Sequence, residues 1–315
     1  MADSMTVNGA VPFVGITRRE LHGIAWGLAA AMLTAGWWVM TRLGVTTTLD
    51  QYDVAALRFA TSGLLMLPVL WRCRREIAAV RPSLLAVMVL CAGIPYSLVA
   101  GTGLRFASAA NGGALVSGMM PLFAAVLSTL VLKENIGPGR CLGLGIVVAG
   151  VLGIGGAAAA SATALPLFIL ASLMWASFTI VLRRTNLAPF AAVSFVCCVS
   201  GAVYVPSYLM LSDQPMALTV PLSDMLPQVL YQGLLSAVVA VYCFARAVML
   251  LGPARASVFG ALVPVLACLM GAAFLAEVPT AAEVLSIATI AAGAALASGA
   301  VRIPVRMPAQ VPAMR

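Results

Sequence analysis

Apolar runs of about 20 residues, the length that crosses a bilayer as a helix, follow one another along the whole chain. Short polar stretches separate them. Ten helices are predicted, over 23–41, 54–71, 83–104, 109–132, 140–157, 163–182, 189–211, 227–249, 254–276 and 282–301. The first follows Arg18 and Arg19 and is longer than a signal-peptide core of about 7–15 residues, so it reads as a retained helix. The last segment, 302–315, carries three prolines and no helical pattern and reads as a loose tail.

Composition agrees with the pattern. Hydrophobic residues make up 62% of the 315 positions and charged residues 9%, and the mean hydropathy is +1.06. Soluble domains are about 25% charged. Too few charges are available to solvate a surface. A cytosolic enzyme, a nucleic-acid-binding protein, a disordered chain and a secreted disulfide scaffold are excluded, which leaves an all-α polytopic membrane protein.

The net charge of +8 changes meaning once the charges are placed. With a cytoplasmic N-terminus, fifteen of the eighteen basic residues fall inside. They are Arg18, Arg19, Arg72, Arg74, Arg75, Arg81, Lys133, Arg140, Arg183, Arg184, Arg246, Arg255 and the tail residues Arg302, Arg306 and Arg315. Asp50, Asp53, Asp213, Asp224, Glu277 and Glu283 fall outside. The basic excess is therefore a topology signal that places both termini in the cytoplasm, and no nucleic-acid partner is needed. The seven cysteines sit mostly in apolar runs, without a CxxC or Cys/His cluster. They read as small packing residues. No metal or cofactor is expected.

One pattern occurs twice. Pro121, Glu134 and Gly150 are spaced by thirteen and sixteen positions, and so are Pro264, Glu277 and Gly293, 143 residues later. Looser echoes pair AALRF at 55–59 with AAVSF at 191–195, and the Trp-rich stretch ending at Arg42 with Trp175 to Arg183. The units are 1–157, with helices 1–5, and 158–301, with helices 6–10. Five spans per unit is odd, so the second unit enters the membrane inverted. Inverted repeats are typical of secondary transporters, with the substrate site near the midplane.

PLFAAVLSTLVLKE at 121–134 and PVLACLMGAAFLAE at 264–277 resemble the helix 4 and helix 9 signature of EamA-type carriers of the drug/metabolite transporter superfamily. LRF at 57–59, WASFTIVLRR at 175–184 and GPARASVFGALVP at 252–264 fit the same pattern, which spans nearly the whole chain. The resemblance implies ten helices in two inverted five-helix halves around a central cavity. Helices 1–4 and 6–9 line that cavity, with helices 5 and 10 peripheral. It also implies a bacterial inner-membrane location. Members often export amino acids, the YddG-type aromatic amino-acid exporters among them, while others move different metabolites.

Transport needs polar handles in an apolar cavity and helices that bend. Pro121 and Pro264 each remove a helical hydrogen bond. With Gly112, Gly113, Gly118 and Gly260 they are hinge or gate candidates, or sites of static close packing. Trp37, Trp38, Tyr96, Trp175 and Tyr242 are candidate cavity aromatics, able to stack on a substrate or hold an ammonium by cation–π attraction. Alternatively the tryptophans and tyrosines mark the membrane interface. Arg58, about one turn inside the outer end of helix 2, is a candidate for binding a substrate carboxylate. It could instead snorkel outward or pair with Asp53 or Asp50. Arg246 is the similar candidate near the inner end of helix 8. Asn111, Ser117, Ser177, Ser236 and Ser257 are short polar groups that could complete a site or simply bond between helices. Glu134 and Glu277 end helices 4 and 9, where a carboxylate opposes the helix dipole. Both are read as structural locks, with Lys133 and Arg140 near Glu134.

These features favour a secondary transporter that exports small organic metabolites, amino acids foremost, by alternating access. The partners are a small-molecule substrate and the lipid bilayer. A drug carrier of the same fold is the alternative, with a channel or an intramembrane enzyme further behind. GxSxG, HExxH, buried Asp pairs and the phosphate-binding GxxxxGK[ST] loop are all missing from the sequence, so no enzyme or ATP-driven pump is expected.

Overall fold

The computed structural model describes residues 17–134, 136–157, 162–212 and 219–297. They form ten helical units. These are α1 (Arg18–Thr46), α2 (Gln51–Ala78), α3 (Pro82–Phe106), α4 (Ala109–Leu132), α5 (Pro138–Ala157), α6 (Ala164–Thr185), α7 (Pro189–Leu211), α8 (Leu222–Leu251), α9 (Val258–Leu275) and α10 (Ala281–Ala297). Eight are long and apolar enough to cross a membrane, while α10 and the apolar part of α5, Pro138–Ile154, are shorter. The predicted tail at 302–315 and the junction at 158 lie outside the described residues.

Several helices extend beyond their apolar runs, because capping residues carry them into polar sequence. Thr17 and Glu20 form a capping box at the start of α1, and Asp50 and Asp53 form one at the start of α2. Each box satisfies backbone donors that a helix start leaves open. Arg58 therefore lies seven residues inside α2, about 10 Å from its end, deeper than the one turn expected. At its other end α1 runs on to Thr46, so Trp37 and Trp38 lie nine and eight residues before the end of the helix.

The predicted continuous third helix is broken. It runs as Pro82–Ala92 and Ile94–Phe106, with Gly93 between in a non-helical conformation. Pro95 cannot donate a backbone hydrogen bond and sits in the first turn of the second segment, where that donor is not needed. Gly93 also faces α7 closely, since a Cβ on it would lie 2.4 Å from Ser200 Oγ. Pro121 and Pro264, by contrast, lie within continuous helices. Two segments widen to π-helix, Ser128–Leu132 at the end of α4 and Val229–Val239 within α8.

The helices pack with a two-fold pattern. α5 packs on α10, α2 on α7 and α4 on α9. α1 contacts α8 and α9, as α6 contacts α3 and α4. Replacing each helix by the one five later reproduces the same set of pairs. The Ala109 amide at the start of α4 meets the Glu277 side chain just past the end of α9, so those two helices run antiparallel and the halves are inverted.

Glycines set the closest crossings. A Cβ on Gly293 would lie 2.7 Å from the Val147 amide nitrogen and 2.8 Å from the Gly143 carbonyl oxygen. One on Gly150 would lie 3.0 Å from the Ser286 carbonyl oxygen. Gly143 with Gly293, and Gly150 with Ser286, are equivalent pairs under the 143-residue shift. In α2 and α7, a Cβ on Gly63 would meet the Cys197 carbonyl at 3.1 Å, and one on Gly201 the Phe59 carbonyl at 2.6 Å. That reciprocity makes Phe59 equivalent to Cys197, two residues from the register suggested by AALRF and AAVSF.

The core is built of small residues around a few large rings, with Ala35, Ala100, Ala114 and Ala171 beside Trp37, Trp38, Tyr96 and Phe168. The outside is apolar as well. Leu64, Trp71, Leu130, Leu152, Met210, Phe274 and Leu285 are all exposed. An apolar exterior over hydrogen-bonded helices is what a lipid solvent selects.

Candidate functional site

Three aromatic rings from three helices meet in the middle of the bundle. Trp37 of α1 stacks on Tyr96 of α3 with centroids 5.9 Å apart and planes 18° apart. Tyr96 contacts Trp175 of α6 at 5.0 Å. Trp38 sits edge-on to Trp37 at 4.7 Å and to Phe168 at 6.3 Å. Trp175 is the twelfth of the twenty-two residues of α6. The break at Gly93 starts a new helical segment at Ile94, which carries Tyr96 two residues later.

Arg58 turns into this group. Its guanidinium carbon lies 5.4 Å from the Trp37 ring centroid and 5.9 Å from that of Phe59, within cation–π range. Its Nη1 donates to Gln232 Oε1 at 3.3 Å and to Ser236 Oγ at 3.1 Å. It neither snorkels nor pairs with Asp53. Asp53 is held instead by the Asp50 amide at 2.8 Å and by the Tyr208 hydroxyl.

The acceptors that seat Arg58 belong to a buried amide chain. Gln232 Nε2 donates to Thr41 Oγ1 at 3.0 Å and to Gln228 Oε1 at 3.4 Å. Gln228 Nε2 donates to the Met40 carbonyl at 2.8 Å. Ser236 Oγ donates to the Gln232 carbonyl at 2.9 Å while accepting from Arg58. Gln232 and Ser236 both lie in the π segment of α8, a deviation frequent at functional sites. Gln228, Gln232 and Thr41 are not among the residues that the sequence pattern singles out. Two amides four residues apart in an otherwise apolar helix were the available signal.

The remaining predicted residues scatter. Tyr242 is 45% exposed and packs on Trp26 at 5.6 Å and Phe190 at 6.5 Å, away from the aromatic group. Arg246 is half-buried one turn further along α8. Asn111 Nδ2 donates to Glu283 Oε1 at 3.0 Å, tying α4 to α10. Ser177 Oγ bonds to the Leu173 carbonyl of its own helix. Ser117 is half-buried in α4, and Ser257 precedes α9. Among the hinge candidates, three glycines are close-packing points. A Cβ on Gly112 would lie 2.8 Å from Leu104, one on Gly113 2.8 Å from Ala267, and one on Gly118 2.1 Å from Ile290. Gly260 has open space around it.

Glu134 and Glu277 carry a symmetric arrangement. Each follows a left-handed residue, Lys133 at φ 56° and Ala276 at φ 53°. Their amides donate six residues back, to Ser128 and Gly271, at 3.3 Å in both cases. This is a helix-ending turn that satisfies late carbonyls and folds the carboxylate back beside the helix. Each carboxylate then meets an arginine from the first helix of one half. Arg42 Nε of α1 lies 2.9 Å from Glu277 Oε1, and Arg183 Nη2 of α6 lies 2.6 Å from Glu134 Oε1. The partner of Glu134 is thus Arg183, with Lys133 serving as the turn and Arg140 as a weaker neighbour.

The two pairs stand at opposite ends of the bundle and differ in depth. Arg42 and Glu277 are 22% and 19% exposed, against 48% and 39% for Arg183 and Glu134. Glu277 Oε2 also accepts from the Ala109 amide at 2.9 Å, where the α4 N-terminus favours an anion. Arg42 Nη1 donates to the Leu104 carbonyl as well. At the shallower pair, the Arg183 guanidinium holds the Glu134 carboxyl below its usual range.

No curated protein matches the chain. A crystal structure of another protein, 19% identical, superposes with a TM-score of 0.62 over 87% of this chain and 96% of its own, a likeness of fold. The EamA-like transporter family matches twice, over residues 21–156 and 162–299. Repeated over both halves of a ten-helix inverted bundle, that match shows that the chain belongs to the EamA-like transporter family of the drug/metabolite transporter superfamily.

Proposed function

We propose that this transporter is a secondary carrier that exports small organic metabolites by alternating access, with amino acids, aromatic ones included, as the leading substrates. Its units are 1–157 and 158–301. It resides in a bacterial plasma membrane with both termini cytoplasmic, which puts Glu134–Arg183 at the cytoplasmic end and Glu277–Arg42 at the outer end. The observation that carries this reading is the pair of equivalent ion pairs at opposite ends, with the aromatic group and Arg58 between them. A carrier that opens one end at a time needs closures of this kind.

Glu134 and Glu277 act as the locks of the two halves. Pro121 and Pro264 supply the bending points, since each leaves a helical carbonyl without its usual donor. Gly112, Gly113, Gly118 and Gly260 let α4 and α9 shift against their neighbours. Trp37, Trp38, Tyr96 and Trp175 face the substrate, with Arg58 as its charged contact.

Counterflow in proteoliposomes with a panel of labelled amino acids, with and without a pH gradient, tests this reading. Saturable counterflow of at least one amino acid is expected. Unsaturable flux with ohmic current would replace the carrier by a channel of the same fold.

A further inference from the structure

Arg58 is an uncompensated charge. Its Nη1 has two neutral acceptors, its Nε is buried with no acceptor, and among the described residues its guanidinium forms no ion pair. Trp37, whose ring lies against it, also buries an indole N–H with no acceptor. Both unmet groups can only donate. Tyr96, stacked on Trp37 and buried, brings a hydroxyl but no negative charge.

Withholding a counter-charge from a buried cation is costly. Natural proteins keep such a feature inside a membrane chiefly where it serves a function. Two unmet donors, one of them cationic, call for an acceptor-rich anion. The rings of Trp37, Tyr96 and Trp175 beside them call for an apolar or aromatic body. The site offers little to a cation, because the guanidinium already occupies the face of Trp37 and repels a second positive charge.

We infer that Arg58 and the Trp37 indole form an anion seat for the carboxylate of a small, apolar or aromatic organic acid, held in place by Gln232 and Ser236. This rests on the carrier reading above and narrows its substrate class. The carboxylate is required and the amino group is dispensable. Deaminated aryl acids therefore bind at least as well as the matching amino acids, and aryl amines do not bind.

Thermal unfolding of the purified full-length protein with three probes of one skeleton tests the seat. The probes are 3-phenylpropionate, phenylalanine and phenethylamine, each titrated to obtain an apparent Kd from the stabilisation. Expected are saturable shifts with phenylpropionate and phenylalanine, and for phenethylamine none or one at least 10-fold weaker. Arg58→Gln should weaken phenylpropionate at least 10-fold, and Arg58→Lys less. Phenethylamine binding as well as phenylpropionate would overturn the inference in the wild-type protein alone, whatever the variants do. So would an Arg58→Gln protein that melts normally and binds phenylpropionate within about two-fold of wild type. Saturable amino-acid counterflow alongside either result would leave the carrier standing and remove only the anion seat. Loss of counterflow with carboxylate binding intact would do the reverse.

Discussion

Glu134 and Glu277, 143 residues apart, end their helices with the same left-handed turn, the same six-residue backbone bond and the same type of partner. That partner is an arginine from the first helix of a half, Arg183 for Glu134 and Arg42 for Glu277. The local turn is written into the repeated sequence. The ion pair is a consequence of inverting the two halves and packing α1 on α9 as α6 packs on α4.

Removing the deeper pair should bias the bundle. Glu277→Gln leaves the Ala109 amide with an amide oxygen in place of a carboxylate and leaves Arg42 partly buried without its anion. Hydrogen bonds to charged groups contribute about 1.5–3 kcal/mol, so opening at that end should become roughly 10- to 100-fold easier. Accessibility of a cysteine placed at Leu104, in a background lacking the native cysteines, reads this out. Exchanging both partners, Arg42→Glu with Glu277→Arg, should recover part of the loss.

The shallower pair sets a pH dependence. The Glu134 carboxyl is lowered by Arg183, so its contribution is fully present above the unfolded carboxylate value of about 4.3. It is lost as pH falls through the lower folded value. Opening at the Glu134 end should not vary with pH between about 5 and 8 through this group, and should ease only in stronger acid. Glu134→Gln should remove that acid response. Acrylamide quenching of a fluorophore attached at position 187, followed from pH 8 to pH 3.5, checks it.

A larger side chain at the α5–α10 crossing should destabilise the protein without touching the aromatic group. Gly293→Leu drives a side chain into the Val147 and Gly143 backbone, and overpacking costs about 1–3 kcal/mol. Gly145→Leu, on the same helix as Gly143 but with open space at its Cβ, should leave the melting temperature unchanged.

Tyr208 closes the α2–α7 contact on Asp53, a carboxylate only 3% exposed. Tyr208→Phe takes away one of its donors. Leaving a buried acceptor short of a partner costs about 1–3 kcal/mol, read as a lower melting temperature with the helical signal unchanged.

Much of the fold is legible in the sequence because bilayer physics acts on composition. A helix in hydrocarbon must be apolar for about 20 residues, so counting finds the spans, and the spacing of Pro121, Glu134 and Gly150 exposes the repeat. The helix ends were less legible, since the capping boxes at Thr17 and Asp50 extend α1 and α2 through residues an apolar count ignores. Of the site, Trp37, Tyr96, Trp175 and Arg58 carry chemical signals of their own. Gln228 and Gln232 gain their role only where α8 crosses α1 and α2, and Arg183 meets Glu134 across 49 residues. No local spacing encodes such contacts.

The most direct measurement concerns the two ends together. In a background without native cysteines, the pairs 42/277 and 134/183 are replaced by cysteines and bridged separately with a short cleavable bis-maleimide. Counterflow is then measured before and after cleavage of the bridge. Alternating access predicts that either bridge alone stops transport, and that cleaving it restores the rate. Transport that continues with one end quantitatively bridged would contradict the account, because the pathway would then not depend on opening both ends in turn.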